Sequence, residues 1–90
     1  MVTVNLTLVN GRPETAIEIS DRGFQFGDGV FTTLLVQDGI PLFANEHLDR
    51  LSRDAATLKL PSPNREVLKA EMGQMAHGCG SGILKIHWTR

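Results

Sequence analysis

The side chains best suited to chemistry in this 90-residue chain are concentrated between Asp21 and Arg50. The first half of that segment places three glycines within seven residues, beside Phe24, Phe26 and Phe31. Glycine lets backbone or ligand approach closely, so this composition indicates the shaped wall of a cavity. The second half is a predicted helix that carries Arg50, whose guanidinium is suited to a doubly charged anion such as phosphate.

Two interpretations of Arg50 fit its residue type. The guanidinium either binds an anionic ligand or lies in solvent, paired with Glu46 four residues earlier on the same helix face. Residue type alone favours the second interpretation, so the choice depends on the motif that surrounds the arginine.

Lys85 is the second candidate cation. Residues 83–90 are predicted to form a strand with Lys85, His87 and Thr89 on one face and Leu84, Ile86 and Trp88 on the other. Lys85 is either a charge that faces a substrate or an ordinary strand lysine that points to water, and both interpretations fit the sequence equally well. Whether His87 reaches the same pocket is equally open.

Two motifs follow one another along the chain. They are Asp21-Arg22-Gly23 with Phe26 to Phe31 (FGDGVF), and then His47-Leu48-Asp49-Arg50-Leu51. This combination resembles the N-terminal small domain of the class IV, branched-chain-type pyridoxal-phosphate (PLP) enzymes, which carry a DRG and FGDG motif before an HL-x-RL helix. The resemblance covers most of the chain. It implies that residues 1–90 are this small domain, a fragment without the large C-terminal domain.

The resemblance also implies roles for individual residues. Arg50 matches the arginine that binds the PLP phosphate, and Lys85 matches a pocket-facing position where a cation would suit a substrate carboxylate. Phe26, Phe31 and Thr32 are expected to line the substrate pocket, although plain core packing suits the two phenylalanines nearly as well. No catalytic residue is expected in this chain, because the family's Schiff-base lysine lies beyond residue 90.

The residues after the glycine turn differ between activities within the family. Phe31-Thr32-Thr33 is most similar to the aminodeoxychorismate lyases, which release pyruvate to make 4-aminobenzoate in folate biosynthesis. The resemblance therefore implies a PLP-dependent lyase. Two alternatives stay open, namely a class IV aminotransferase acting on D-amino or branched-chain amino acids, and a non-catalytic fragment that serves as a dimerisation domain. Family members are usually homodimers, so association with a second copy is expected.

The composition limits the other classes of function. Nine basic and ten acidic residues give a net charge of −1, which argues against nucleic-acid binding and against a polybasic membrane anchor. No apolar run approaches membrane-spanning length, so we expect a soluble, cytoplasmic protein that acts on a small-molecule substrate. Cys79 is the only cysteine and the three histidines are widely spaced, so no metal site is expected.

The secondary structure predicted around these residues indicates an α+β fold with a mostly antiparallel sheet and two helices. Alternating apolar residues predict strands from Val2 to Leu8, Glu14 to Ile19, Val30 to Val36 and Ile40 to Phe43. Hairpin turns at Asn10-Gly11 and Asp38-Gly39 would join them into an antiparallel meander.

The two helices are predicted from their caps and apolar spacing. Asn45 is expected to cap the first, which ends near Lys59 and buries Leu48, Leu51, Ala55 and Leu58. The second is expected to begin at Ser62-Pro63 and to end at Gly78, with a buried stripe of Leu68, Met72 and Met75. The glycine-rich residues 78–82 are predicted to be a loop rather than a phosphate cradle, because they lead into a strand.

Overall fold

The run of β-branched and apolar residues that follows the glycine turn forms the longest strand of the fold. The computed structural model describes residues 7–14 and 16–89. Strand β3 (Gly29–Gln37) lies at the centre of a three-stranded antiparallel sheet, between β4 (Ile40–Pro41) and β5 (Gly82–Thr89). The β3–β5 pairing runs from Gly29 opposite Thr89 to Val36 opposite Gly82. The predicted α+β class is confirmed.

The β3–β4 hairpin turns at Asp38-Gly39, as predicted. Both residues have positive φ angles, 52° and 76°, which suit the tight turns that match the twist of the flanking strands. The predicted continuation of β4 to Phe43 is wrong, because the strand ends at Pro41. The Leu42 amide still donates to the carbonyl oxygen of Leu35, but Phe43 has a left-handed backbone (φ 56°), which turns the chain out of the sheet.

Two helices pack on one face of this sheet. Helix α2 (Ala44–Thr57) buries Leu48, Leu51 and Ala55, and helix α3 (Arg65–Cys79) buries Met72 and Ala76. Leu34 from β3 joins Leu48 and Met72 in the hydrophobic core, with Ala44, Leu68, Leu84 and Ile86 packed around them. Leu58, predicted to be buried, is 44% exposed because it lies beyond the last helical turn.

The predicted helix boundaries need correction. Asn45 lies inside α2, which follows Phe43 without a side-chain cap. Helix α3 begins at Arg65 rather than at Ser62-Pro63, because the Asn64 side chain accepts a hydrogen bond from the Val67 amide. Its predicted end at Gly78 is also wrong. The helix continues to Cys79, and Gly80 ends it with a φ of 77°.

A separate hairpin precedes the main sheet. Strands β1 (Leu8–Val9) and β2 (Arg12–Pro13) pair across the predicted Asn10-Gly11 turn. The predicted strand from Glu14 to Ile19 is wrong, since none of its described residues is in a strand. The predicted four-stranded meander is therefore two sheets. Residues 2–6 and Thr15, which the sequence also placed in strands, lie outside the described residues.

The glycine-rich turn contains a short helix, α1 (Arg22–Phe26), which the sequence did not predict. Asp21 caps it by accepting a hydrogen bond from the Phe24 amide, and Gly27 ends it in the left-handed conformation with a φ of 65°. Within the described part of the chain, no helix is long and apolar enough to cross a membrane.

Candidate functional site

The sheet face turned away from the helices, which we call the outer face, carries two of the predicted site residues, Phe31 and Lys85. Side chains alternate along a strand, so every second residue of β3 and β5 points to this side. All of these side chains are exposed: Phe31, Thr33, Leu35, Ile83, Lys85 and His87. The predicted alternation of β5 is therefore confirmed, with Lys85 and His87 on the exposed side and Leu84 and Ile86 toward the helices.

Phe31 lies at the centre of a contact cluster on the outer face. The Lys85 Nζ atom lies 4.9 Å from the centroid of the Phe31 ring. The His87 ring stacks on the same phenylalanine with a centroid separation of 5.7 Å and an interplanar angle of 30°. The register explains both contacts, since Phe31 is directly opposite His87 and Thr33 is opposite Lys85. Two predicted pocket residues, Phe31 and Lys85, are thus brought together.

Lys85 is the one charged residue that β3 and β5 place on the outer face. Neither β3 nor β5 contains an aspartate or a glutamate. The Asp21 carboxylate approaches the end of the face, where it accepts hydrogen bonds from the Thr89 hydroxyl (2.9 Å) and the Phe24 amide (3.0 Å). These two hydrogen bonds hold the pKa of Asp21 below its ordinary value, and the bond from Thr89 has the larger effect. Because this carboxylate is already engaged, the Lys85 ammonium is available to an anionic ligand.

Thr32 lies on the opposite side of β3 from Phe31 and Lys85. It is only 4% exposed, and its hydroxyl forms a 2.7 Å hydrogen bond with Nδ1 of His47 on α2. The histidine tautomer decides which of the two groups donates. The structure therefore corrects the placement of Thr32 in the pocket lining, because strand alternation turns its side chain into the interior.

Arg50 is an exposed residue of α2. Among the described residues, its guanidinium has no hydrogen bond or ion pair, and the pairing with Glu46 is not formed. Asp54, one helical turn later on the same face of α2, lines a shallow pocket together with Phe31. A cation with free forked donors and no acidic partner fits a phosphate group. Within the described residues, the Arg50 guanidinium is therefore free to bind an anion.

Phe26 belongs to a different cluster. It is 65% exposed, and the Arg22 guanidinium lies 4.7 Å from the centroid of its ring. Arg22 also forms an ion pair with Asp28, with 2.9 Å between Nε and Oδ2. The first motif is therefore braced by its own side chains, and Phe26 contacts Arg22 rather than the Phe31 cluster.

Two glycines of that motif allow α1 to pack against the end of β5. A Cβ atom at Gly23 would collide with the methyl group of Thr89, and one at Gly29 would lie 2.8 Å from the carbonyl oxygen of Trp88. This close approach explains why the turn needs glycine, and it holds Asp21 next to Thr89.

Contacts from distant residues hold the second motif in place, and no local sequence pattern predicts these contacts. The Arg65 guanidinium donates to the Asp49 carboxylate (2.6 Å) and to the carbonyl oxygen of Asn45 (3.0 Å), which fixes the start of α3 against α2. The Trp88 indole donates to the carbonyl oxygen of Pro61 (2.8 Å) and ties β5 to the loop between the helices. The position of α2, and with it that of Arg50, is therefore set by its neighbours.

This chain is similar in sequence and in fold to known proteins. The sequence profile of the family described as "Amino-transferase class IV" matches residues 29–90. The chain belongs to the class IV aminotransferase family. The match contains the main sheet, both long helices and the outer face, so the resemblance to this family that the motifs indicated is confirmed.

Relatives within the class IV family differ in activity. An aminodeoxychorismate lyase from Vibrio harveyi is 37% identical over 83 residues, which are 91% of this chain and 30% of the relative. A D-alanine aminotransferase from Listeria monocytogenes is 44% identical over 90 residues, 94% of this chain and 31% of the relative. The chain thus spans about three tenths of the length of these relatives, and their names divide between lyase and transaminase.

The fold is also that of a class IV enzyme of known structure. The crystal structure of 4-amino-4-deoxychorismate lyase from Pseudomonas aeruginosa superposes with a TM-score of 0.83 at 34% identity, covering 90% of this chain and 30% of that one. Among the described residues, no three histidine, cysteine, aspartate or glutamate side chains are grouped so that they could hold a metal ion.

Proposed function

We propose that this chain supplies phosphate-binding and substrate-side residues to a PLP-dependent 4-amino-4-deoxychorismate lyase. That reaction eliminates pyruvate and leaves 4-aminobenzoate. The observation that carries the proposal is the placement of the Lys85 ammonium over the Phe31 ring on a sheet face without carboxylates. A cation beside an aromatic ring is suited to a substrate that is both cyclic and anionic. The lyases among the relatives in sequence and structure support the same activity.

Arg50 is the residue of this chain that would hold the cofactor. Its free guanidinium offers two parallel donors to the PLP phosphate. The bound cofactor would supply an electron sink for the elimination. The lysine that carries PLP is expected beyond residue 90, so residues 1–90 are proposed to act as the N-terminal small domain, which binds and orients but does not transfer the proton.

The remaining candidates would shape the substrate site. Lys85 would bind a carboxylate of the substrate, Phe31 would contact its ring, and Phe26 would form the neighbouring wall. Thr32 would not contact the substrate but would help to position the site, because its hydrogen bond with His47 joins β3 to the helix that carries Arg50. The proposal includes a homodimer in the cytoplasm, as the resemblance implies. The exposed apolar side chains of Leu35 (61%) and Ile83 (69%) are consistent with a partner surface near the outer face.

A class IV aminotransferase acting on D-amino acids is the second candidate function. The D-alanine aminotransferase relative, at 44% identity, favours it. The two activities differ in what they consume, because a transaminase needs a keto-acid acceptor and the lyase does not.

Turnover by the purified full-length protein with added PLP separates these functions. The lyase is expected to release pyruvate from aminodeoxychorismate in the absence of any keto acid, and lactate dehydrogenase coupled to NADH oxidation measures that pyruvate. Turnover of D-alanine that requires 2-oxoglutarate, without pyruvate release from aminodeoxychorismate, would contradict the lyase proposal and support the transaminase.

Replacing Arg50 tests the cofactor role. Arg50→Gln in the full-length protein is expected to weaken PLP binding by roughly 10- to 100-fold, because hydrogen bonds to a charged group contribute about 1.5–3 kcal/mol. Titration of the apoprotein followed by PLP absorbance gives the dissociation constant. Arg53→Gln, at another exposed arginine of α2, is the matched control and should bind PLP as the unmodified protein does. Equal PLP affinities in the two variants would show that Arg50 does not bind the PLP phosphate.

A further inference from the structure

We propose that His87 is a second substrate-contact residue, whose imidazole binds the same carboxylate as Lys85 while the ring of the substrate lies against Phe31. The inference rests on the proposed function and names the ligand class more closely, as a carboxylate attached to an unsaturated six-membered ring. Three features support it: the fixed position of the imidazole, its lack of another partner and the spacing of the two donors.

The position of His87 is fixed by its cross-strand neighbour. Phe31 is directly opposite His87 in the β3–β5 register, and the two rings stack at 5.7 Å with 30° between their planes. An aromatic pair of this kind restricts both rings. The imidazole is therefore held at the outer face with its polar edge free to meet a ligand.

The ring nitrogens of His87 are available to a ligand. In the part of the chain that the structure describes, the stack on Phe31 is the only ring contact of this side chain, and it has no hydrogen bond or ion pair. The Asp21 carboxylate at the end of the face is engaged by Thr89 and Phe24. His87 is exposed, as is Lys85. An anion that reaches the face would thus meet two unused donors.

The spacing of these donors suits a single carboxylate. Lys85 and His87 are two residues apart on the same strand face, which places their Cα atoms roughly 7 Å apart. Charge-assisted hydrogen bonds of about 2.8 Å from each side leave room for one carboxylate group between them. Because both side chains also contact the Phe31 ring, a ring attached to that carboxylate would lie against the aromatic cluster. A small aliphatic amino acid has no ring to use this surface.

Binding of 4-aminobenzoate to the full-length, PLP-loaded protein tests the inference by calorimetry. His87→Phe keeps the aromatic stack but removes both nitrogens, and it is expected to weaken 4-aminobenzoate binding about tenfold. His87→Gln keeps a side-chain donor and should stay within about threefold of the unmodified protein. Aniline, which lacks the carboxylate, should bind the unmodified protein and the His87→Phe variant equally. His77→Gln, at an exposed histidine of α3, is the matched control and should change nothing.

A double variant shows whether the two residues bind one group. If Lys85 and His87 hold the same carboxylate, Lys85→Met combined with His87→Phe should weaken 4-aminobenzoate by clearly less than the product of the single effects. Unchanged affinity in His87→Phe, an equal loss for aniline, or strictly multiplicative effects would each overturn the inference. Circular dichroism confirms that the variants fold, and His87→Gln supplies the comparison if His87→Phe does not.

The experiments distinguish a failure of the His87 carboxylate site from a failure of the proposed lyase function. If the protein fails the pyruvate-release assay but still binds 4-aminobenzoate in a His87-dependent way, the carboxylate site stands and the lyase assignment falls. If pyruvate is released and His87→Phe leaves both the Michaelis constant and 4-aminobenzoate binding unchanged, the lyase stands and the role of His87 falls. An unmodified protein that does not bind 4-aminobenzoate at all would also overturn the site.

Discussion

The two faces of the β3–β5 pair are built from the same strands but meet opposite surroundings. Leu34 and Leu35 are sequence neighbours of the same residue type, yet Leu34 is 2% exposed in the core and Leu35 is 61% exposed on the outer face. The side chains of the inner face pack against α2 and α3. The outer face holds a cation, an imidazole and apolar side chains that nothing in the described part of the chain covers. Buried core residues and exposed residues therefore alternate along one strand.

The largest effect expected from this contrast is a difference between two leucine truncations. Leu34→Ala should lower the free energy of unfolding by about 2–5 kcal/mol, because it removes buried methyl groups and leaves a cavity. Leu35→Ala should cost less than about 1 kcal/mol, since its side chain is already in water. Urea denaturation followed by circular dichroism measures both. Similar losses at the two positions would mean that the outer face is also packed in solution.

Two neighbouring threonines, Thr32 and Thr33, also point to opposite faces of β3. Thr32→Val replaces the hydroxyl that bonds to His47 by a methyl group of similar size, and it should lower the free energy of unfolding by about 1–2 kcal/mol. Thr33→Val makes the same change on the outer face and should stay within about 0.5 kcal/mol. Chemical denaturation at pH 7 measures both variants. A larger loss at Thr33 would reverse the assignment of the two faces.

The smallest expected effect is a pH dependence at the edge of the outer face. The hydrogen bonds from Thr89 and Phe24 lower the pKa of Asp21 in the folded chain, so the ionised carboxylate stabilises the fold above its ordinary pKa of 3.8. This contribution is lost as the pH falls through the lower, folded-state pKa. The stability difference between the unmodified protein and Asp21→Asn should be constant above about pH 5 and shrink below pH 3.8.

Thermal unfolding between pH 2.5 and pH 7 measures this difference, with Asp38→Asn as the control at an exposed turn carboxylate. Parallel curves for the unmodified protein and Asp21→Asn throughout the acid range would show that the carboxylate is not held by Thr89. The anchoring of α1 to the end of the outer face would then need another explanation.

Much of the fold was predictable from local patterns. The Asn-Gly and Asp-Gly pairs located both hairpin turns, because few other residues accept two successive positive φ angles. The strict alternation of β5 placed Lys85 and His87 on one face. The start of α3 was not predictable, since Ser62-Pro63 and Asn64 are both chemically suitable and the long-range contact of Arg65 with Asp49 supports the later one.

The candidate site was predictable in composition but not in arrangement. The contact of Phe31 with Lys85 and His87 depends on the register of two strands far apart in sequence, which no local pattern contains. Thr32 is different, because alternation alone shows that it cannot share a face with Phe31. Its predicted place in the pocket came from the motif of the family. Strand alternation instead turns its side chain into the interior, where it is 4% exposed.

The pairing of Gly29 with Thr89 has a consequence for how the chain folds. Strands β3 and β5 are separated in sequence by β4 and by the two long helices, α2 and α3. Contacts between distant residues require a large loop to close before they contribute, which slows folding in proteins of high contact order. The helices can form early from local interactions, whereas the core around Leu34 must wait for β5. During synthesis on the ribosome, the β3–β5 pairing therefore cannot be completed until Thr89 has left the exit tunnel.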